Sequence, residues 1–295
     1  MYFLYIMFTI ILQGGLGNQL FQIFAALSYS ITYGKRLLLP FYLQSWDKRN
    51  TYWNGLLNSE AIKGLLYDNK TNVFRLREYK EPGFEYSEIP EMGGDGGDFV
   101  INGYFQSHKY FERNYKNICE ILMLYEKREQ VRQRYYDCHG ANTNTISLHF
   151  RMGDYKNGQA HHPLMSDNYY MDAIKYILNN TGGDDMHDNN NNTWYILYTC
   201  EKEDDEIVSR RISNMSLHFS NMKFIQVNHD LEDWEQMLFM SLCNHNIIAN
   251  STFSWWSAYI NDNPNKIVCY PSVWFGYAKS DWVIKDLHPE SWIKI

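Results

Sequence analysis

Asn250-Ser251-Thr252-Phe253-Ser254-Trp255-Trp256 follows directly on the apolar run Ile247-Ile248-Ala249. An apolar run that stops at hydroxyls and resumes with aromatics predicts a buried strand feeding a turn and a helix, which is where open α/β sheets hold their ligands. Ser251 and Thr252 suit the N-cap position, and a helix N-terminus offers backbone N–H groups to phosphate oxygens. For this turn alone, an ordinary cap over an aromatic core is the competing reading.

Two other segments strengthen the ligand-site reading. Ile10-Ile11-Leu12 runs into Gln13-Gly14-Gly15-Leu16-Gly17-Asn18-Gln19, and Leu20, Phe21, Phe24, Leu27 and Ile31 then recur at helical spacing, with Gly34 as the stop. Ile146 to Phe150 carries a strand into His149, Arg151 and Asp154. The planar fork of an arginine matches a pair of phosphate oxygens, so Arg151 at a strand's carboxyl end suits a diphosphate. His149 shares that strand face, two residues earlier.

Taken in order, Gly14 to Gln22, Gly103-Tyr104-Phe105-Gln106-Ser107, His149 to Tyr155 and Asn250 to Trp256 resemble the marks of the α-1,2-fucosyltransferases of glycosyltransferase family eleven, almost end to end. The resemblance implies an α/β protein of GT-B type, with two facing Rossmann-like domains and mostly parallel sheets. It also implies inverting transfer of L-fucose from GDP-β-L-fucose to a sugar hydroxyl, usually without a metal.

Composition agrees with this at lower specificity. With 295 residues, 45% hydrophobic and 17% aromatic, the chain can bury a substantial core. A net charge of −7 and a pI near 5.8 leave no basic footprint for nucleic acid or anionic membrane, so local cations and helix ends must hold a GDP-sugar. Cys119, Cys138, Cys200, Cys243 and Cys269 are scattered, show no C-x-x-C, and read as reduced thiols rather than a zinc site. The apolar opening Tyr2 to Leu12 is shorter than the roughly 20 residues that span a bilayer, and it lacks a signal peptide's flanks. A cytoplasmic enzyme is expected.

The polar stretch His139 to Asn144 is the expected boundary between an acceptor-side domain, 1–140, and a GDP-sugar domain, 141–295. Before it, Lys109 to Tyr136 reads as one long or two short helices. After it, strands over 193–199, 223–227, 246–249 and a last one over 266–270 alternate with helices over 203–213 and 232–243, which implies a mostly parallel sheet. The tract Asp188 to Asn192 and the loop Gly93 to Gly97 read as surface insertions.

Fucosyl transfer breaks the bond from the anomeric carbon to a diphosphate, through a transition state in which charge builds on the leaving phosphate. Arg151 is assigned to that phosphate. His149, Asn250, Ser251, Thr252, Phe253 and Ser254 make up the rest of the donor site. Gly14, Gly15 and Gly17 permit close backbone approach or positive φ, and with Asn18 they are assigned to the floor of the cleft, near fucose or acceptor. A purely structural tight turn is the competing reading there. Asp154 is either the base for the acceptor hydroxyl or the carboxylate that orients Arg151, and His161 and His162 are alternative bases. No metal ligand set is assigned.

Relatives resembling this chain mostly carry a second arginine where it has Met152, and an Asp-Asp pair where it has Cys200-Glu201. If the missing arginine and first aspartate normally pair, positions 152 and 200 face one another and the two losses compensate. The expected function is transfer of fucose to a galactoside-like oligosaccharide or glycoconjugate, in the α-1,2 linkage that the family resemblance implies. A glycosyltransferase with a different nucleotide-sugar donor and a catalytically silent glycan- or nucleotide-binding protein are the alternatives.

Overall fold

The structure, a computed structural model, describes residues 7–45, 47–68, 76–94, 97–136, 144–182 and 193–295. The chain in it divides into two units, Met1–Lys127 with Trp282–Pro289, and Arg128–Asp281 with Glu290–Ile295. Each is built on a parallel sheet.

In the first unit, β1 (Met7–Ile10) enters the glycine turn and α1 (Leu16–Tyr33), which ends where predicted, on Gly34 at φ +63°. Then come β2 (Arg36–Leu37), β3 (Leu39–Phe41), α2 (Glu60–Lys63), β4 (Leu66–Asp68), β5 (Arg77–Lys80) and β6 (Phe99–Asn102). The sheet order is β2-β1-β6-β5, all parallel, with β3 and β4 forming a separate parallel pair. Helix α1 is apolar on almost every face because the core takes it in. Phe21 and Phe24 are fully buried, and Phe24 lies edge-on to Phe111 at 5.2 Å.

Lys109 to Tyr136 resolves into two short helices, α3 (Tyr115–Ile121) and α4 (Leu124–Val131), with short 3-10 turns before them and a π turn after. The change of unit falls inside α4, between Lys127 and Arg128, and residues 282–289 return to the first unit. The division into 1–140 and 141–295 is corrected on both counts. Within the expected linker, 139–143 lie outside the described residues and Asn144 already begins a strand; the tract 188–192 also lies outside them.

The second unit runs β7 (Asn144–His149), α5 (Asp167–Thr181), β8 (Trp194–Thr199), α6 (Asp205–Ser216), β9 (Met222–Gln226), α7 (Asp233–Met240), β10 (His245–Ile247), α8 (Thr252–Ile260), β11 (Val268–Tyr270) and β12 (Ile293–Lys294). Strand β11 was expected to be the last, but β12 pairs with it. Residues 145–149 of β7 are all buried, as a strand covered by helices on both faces must be. The helix starts are chemically specified. Ser166 caps α5, Glu232 and Glu235 form a reciprocal capping box on α7, and Ser251 caps α8.

All strands of this unit are parallel, in the order β12-β11-β10-β7-β8-β9. From β7 the chain winds outward through β8 and β9, then returns to the other side of β7 at β10. The carboxyl ends of β7 and β10 are therefore the topological switch point, where a doubly wound sheet opens a crevice for a ligand. Arg151 follows the first of these strands, and Asn250 to Ser254 follow the second.

Candidate active site

Strand β7 ends on His149, whose buried ring lies 5.1 Å from that of Phe253 and whose carbonyl accepts a hydrogen bond from Tyr170 at 2.9 Å. Burial, and then the positive charge of Arg151, push the imidazole down to about 3, so it is uncharged at neutral pH. Its Nδ1 is buried without a hydrogen-bond partner.

The Arg151 guanidinium pairs with two carboxylates, Asp154 and Glu201, and lies over the Tyr155 ring at 4.7 Å. Glu201 also accepts from the backbone of Met152 at 3.2 Å, and the fully buried Asp204 accepts from Gly153 N–H at 2.8 Å and from Lys156. Four carboxylate contacts thus tie the loop after β7 to the loop after β8. Gly153 is required at their meeting point. Its φ is +28°, and a Cβ there would lie 2.9 Å from the Glu201 carboxylate.

The acidic run at 201–205 supplies these partners. Its signal was present in the register. His149 pairs with Thr199 across β7 and β8, so Arg151 and Glu201 sit at equal offsets past adjacent strand ends. Side chains two residues past paired positions emerge on the same side.

From Arg151 the stack continues through Tyr155 to His162, whose rings lie 4.6 Å apart at 21°, and the Tyr155 hydroxyl donates to the Asn250 carbonyl at 3.2 Å. Burial and then Lys279, whose Nζ is 3.3 Å from Nε2, push His162 down to about 4. His161 is exposed. Asn250 donates to the carbonyls of Pro163 and Trp274 at 3.0 and 3.1 Å and thereby pins two loops, while its buried Oδ1 has no partner.

Ser251 Oγ accepts from Phe253 N–H at 3.3 Å and is the N-cap, with Thr252 the first helical residue. Ser254 has no exposed surface, and its hydroxyl lies 3.4 and 3.3 Å from the carbonyls of Ala249 and Ser251, which makes it a packing residue of this turn. Tyr155, beneath the Arg151 guanidinium, thus meets the Asn250 turn, and His149 meets Phe253.

Among the glycines of the first unit's turn, only Gly14 has positive φ, +81°, and a Cβ there would fall 2.2 Å from Asn18 Nδ2. Its N–H donates to Asp47 at 2.9 Å. Gln19 donates to the carbonyls of Gly14 and Asn50, Gln22 accepts from Gln13 N–H and donates to Gly103, and Gln106 donates to Asn18 at 2.9 Å. Gly15 is an N-cap without a side-chain bond, and Gly17 is buried in α1.

Met152 and Cys200, expected to face one another, belong to one buried hydrophobic cluster, and each has a further partner. Met152 is buried with its sulfur 4.0 Å from the Arg211 guanidinium, while the Cys200 thiol donates to Asp205 at 3.4 Å. Arg211 is itself held by Asp167 and the Met165 carbonyl, over the rings of Phe150 and Tyr170. An arginine from α6 thus lies beside Met152.

Among the described residues, Cys119, Cys200, Cys243 and Cys269 are free and buried, and no helix is long and apolar enough to cross a membrane.

Residues 4–274 match the model of glycosyl transferase family 11. Similar curated proteins include an α-1,2-colitosyltransferase of Escherichia coli, 28% identical with 96% of this chain and 97% of that protein covered. Another is the O-antigen biosynthesis glycosyltransferase WbnK of Escherichia coli, 27% identical with 96% and 99% covered. Solved structures at 12% identity include a variant of Arabidopsis thaliana FUT1 in complex with GDP, TM-score 0.47, covering 89% of this chain and 69% of that one. A family 9 glycosyl transferase from Veillonella parvula gives a TM-score of 0.49, covering 100% and 88%.

Proposed function

The chain belongs to glycosyl transferase family 11, and from that premise we propose that it transfers L-fucose from GDP-β-L-fucose, with inversion, to a hydroxyl of a galactoside-like acceptor, in α-1,2 linkage. The observation that carries this reading is Arg151, a guanidinium held just past β7 at the switch point and stacked on Tyr155, whose hydroxyl bonds the turn that starts α8.

As the glycosidic bond to the diphosphate lengthens, negative charge collects on the β-phosphate, and a fixed cation there lowers the barrier. Arg151 with Asp154 and Glu201 carries a net charge of −1, which repels a diphosphate. One carboxylate must therefore give way when the donor binds. Asp154, with 55% of its side chain exposed, is the one assigned to turn; Glu201, at 24% and anchored to the Met152 backbone, stays. Once displaced, Asp154 is a carboxylate able to take the acceptor's proton. His149 serves as a neutral hydrogen-bonding group, and Asn18 with the Gly14, Gly15 and Gly17 turn is the acceptor-side element. The transfer uses no metal, since Arg151 and the α8 N-terminus supply the positive field, so turnover persists in EDTA.

A second donor is favoured by one finding. The curated relative at 28% identity is named for colitose, which is L-fucose without its 3-hydroxyl. Incubation with GDP-fucose, GDP-colitose and other nucleotide sugars, with and without a galactoside panel, tests both readings. Fucosylated product with GDP release from GDP-fucose alone supports the first, and preference for GDP-colitose replaces it. Release from no donor would leave a binding protein.

A further inference from the structure

Beside the site but outside the proposed chemistry, four polar side chains converge where β8 and β9 end. Cys200 Sγ lies 3.4 Å from Asp205 Oδ1, His229 Nε2 lies 2.7 Å from the same oxygen, and Gln226 Nε2 lies 2.6 Å from it. Gln226 Nε2 is also 2.9 Å from His229 Nε2 and 3.8 Å from the sulfur.

As hydrogen bonds alone these contacts conflict. If His229 Nε2 carries a proton for Asp205, it meets the Gln226 amide as donor against donor. If it does not, its lone pair faces that of the carboxylate oxygen.

We propose that Cys200, Asp205, His229 and Gln226 form a binding site for one zinc-like divalent ion. Thiolate, imidazole and carboxylate are the ligand types that zinc takes in tetrahedral sites, and turning the Gln226 amide to present Oε1 supplies a fourth. Metal–ligand bonds of about 2.3 Å to sulfur and about 2.0–2.2 Å to nitrogen and oxygen require S···O and N···O separations of roughly 3.6 and 3.4 Å. The S···O separation is already 3.4 Å, and N···O must open from 2.7 Å. The three ligand atoms of Cys200, Asp205 and His229 lie within 4.8 Å of one another.

Cys200 is buried while Asp205 and His229 are half-buried, so an ion can enter from the solvent side. On binding, the Cys200 thiol releases its proton to solvent and the thiolate sulfur donates its electron pair to the ion. Such an ion would join the ends of β8 and β9. It lies outside the proposed transfer chemistry, and the two readings fail separately.

The test is titration of the reduced, metal-free full chain with Co2+, followed by displacement with Zn2+. One equivalent should produce the near-ultraviolet thiolate-to-cobalt band together with visible bands of tetrahedral intensity, and Zn2+ should abolish them. Cys200→Ser should remove the near-ultraviolet band and Cys138→Ser should keep it, while His229→Ala weakens binding about a hundredfold. Circular dichroism of each variant verifies its fold. Absence of the band in the folded parent chain, or its survival in Cys200→Ser, overturns the site whatever the transfer assay shows.

Discussion

Arg151 is the residue on which the functional reading turns, and its surroundings make separate predictions for its neighbours. Arg151→Ala should leave the fold intact and lower kcat/KM with GDP-fucose by about 3 kcal/mol or more, roughly a hundredfold, because the charge-assisted contact to the leaving phosphate is gone. Arg151→Lys should recover little, since an ammonium offers neither the two-pronged contact nor the same stacking over Tyr155. A lysine variant with most of the parent activity would remove the two-pronged clamp from the mechanism. The two carboxylates should part company. Asp154→Asn should depress transfer far more than donor binding and erase the acidic limb of the rate profile. Glu201→Gln should weaken donor binding and turnover together, because it leaves the guanidinium less firmly placed. Equal effects of both substitutions on donor affinity would mean that Asp154 only orients Arg151.

At the level of elements, the two turns that flank helices carry predictions about stability. Gly14→Ala must both accept φ +81° and displace the Asn18 amide, and should cost about 1–3 kcal/mol in denaturant unfolding. Gly15→Ala meets nothing within 4 Å at φ −76°, and should stay within about 0.5 kcal/mol. Ser251→Ala removes the α8 cap and should cost about 1 kcal/mol. Similar losses at Gly14 and Gly15 would show that the turn has no special backbone demand.

These contrasts also mark how far the sequence was legible. Strand–turn–helix units over 10–33 and 247–260, and the strand from Ile146 into Arg151 and Asp154, could be read because apolar periodicity and small polar punctuation are local. The Gly34 stop and the Ser251 cap were read for the same reason. Three features depended on register or return of the chain and were not read. They are the pairing of Arg151 with Glu201, the α6 arginine beside Met152, and the passage of 282–289 back to the first unit. The boundary was misplaced because a polar run looks like a linker, whereas the change of unit occurs inside a helix, which has no compositional mark.

For the molecule as a whole, buried neutral histidines should set its tolerance of acid. Burial is the first cause in each case. It pushes His149 and His288 down to about 3, and His162 and His245 to about 4. His245 also needs its neutral form, because Nδ1 accepts the Ile267 N–H at 3.0 Å. In the unfolded chain these groups take up protons below about pH 6.5, whereas the native state refuses them until pH 3–4. The unfolded state therefore binds more protons across that window, so stability is full above about pH 6.5 and falls as pH drops toward 4. Each histidine contributes a slope of up to about 1.4 kcal/mol per pH unit. Three of the four lie in the second unit and only His288 in the first. If unfolding is resolved into two transitions, the second unit's should move to lower denaturant more steeply with acid. His149→Gln and His245→Gln should each flatten that dependence by about one proton, as read from urea midpoints between pH 7 and pH 4. A slope unchanged in both variants would mean that the two imidazoles are protonated in the native state, and the neutral role given to His149 beside the donor would fall with it.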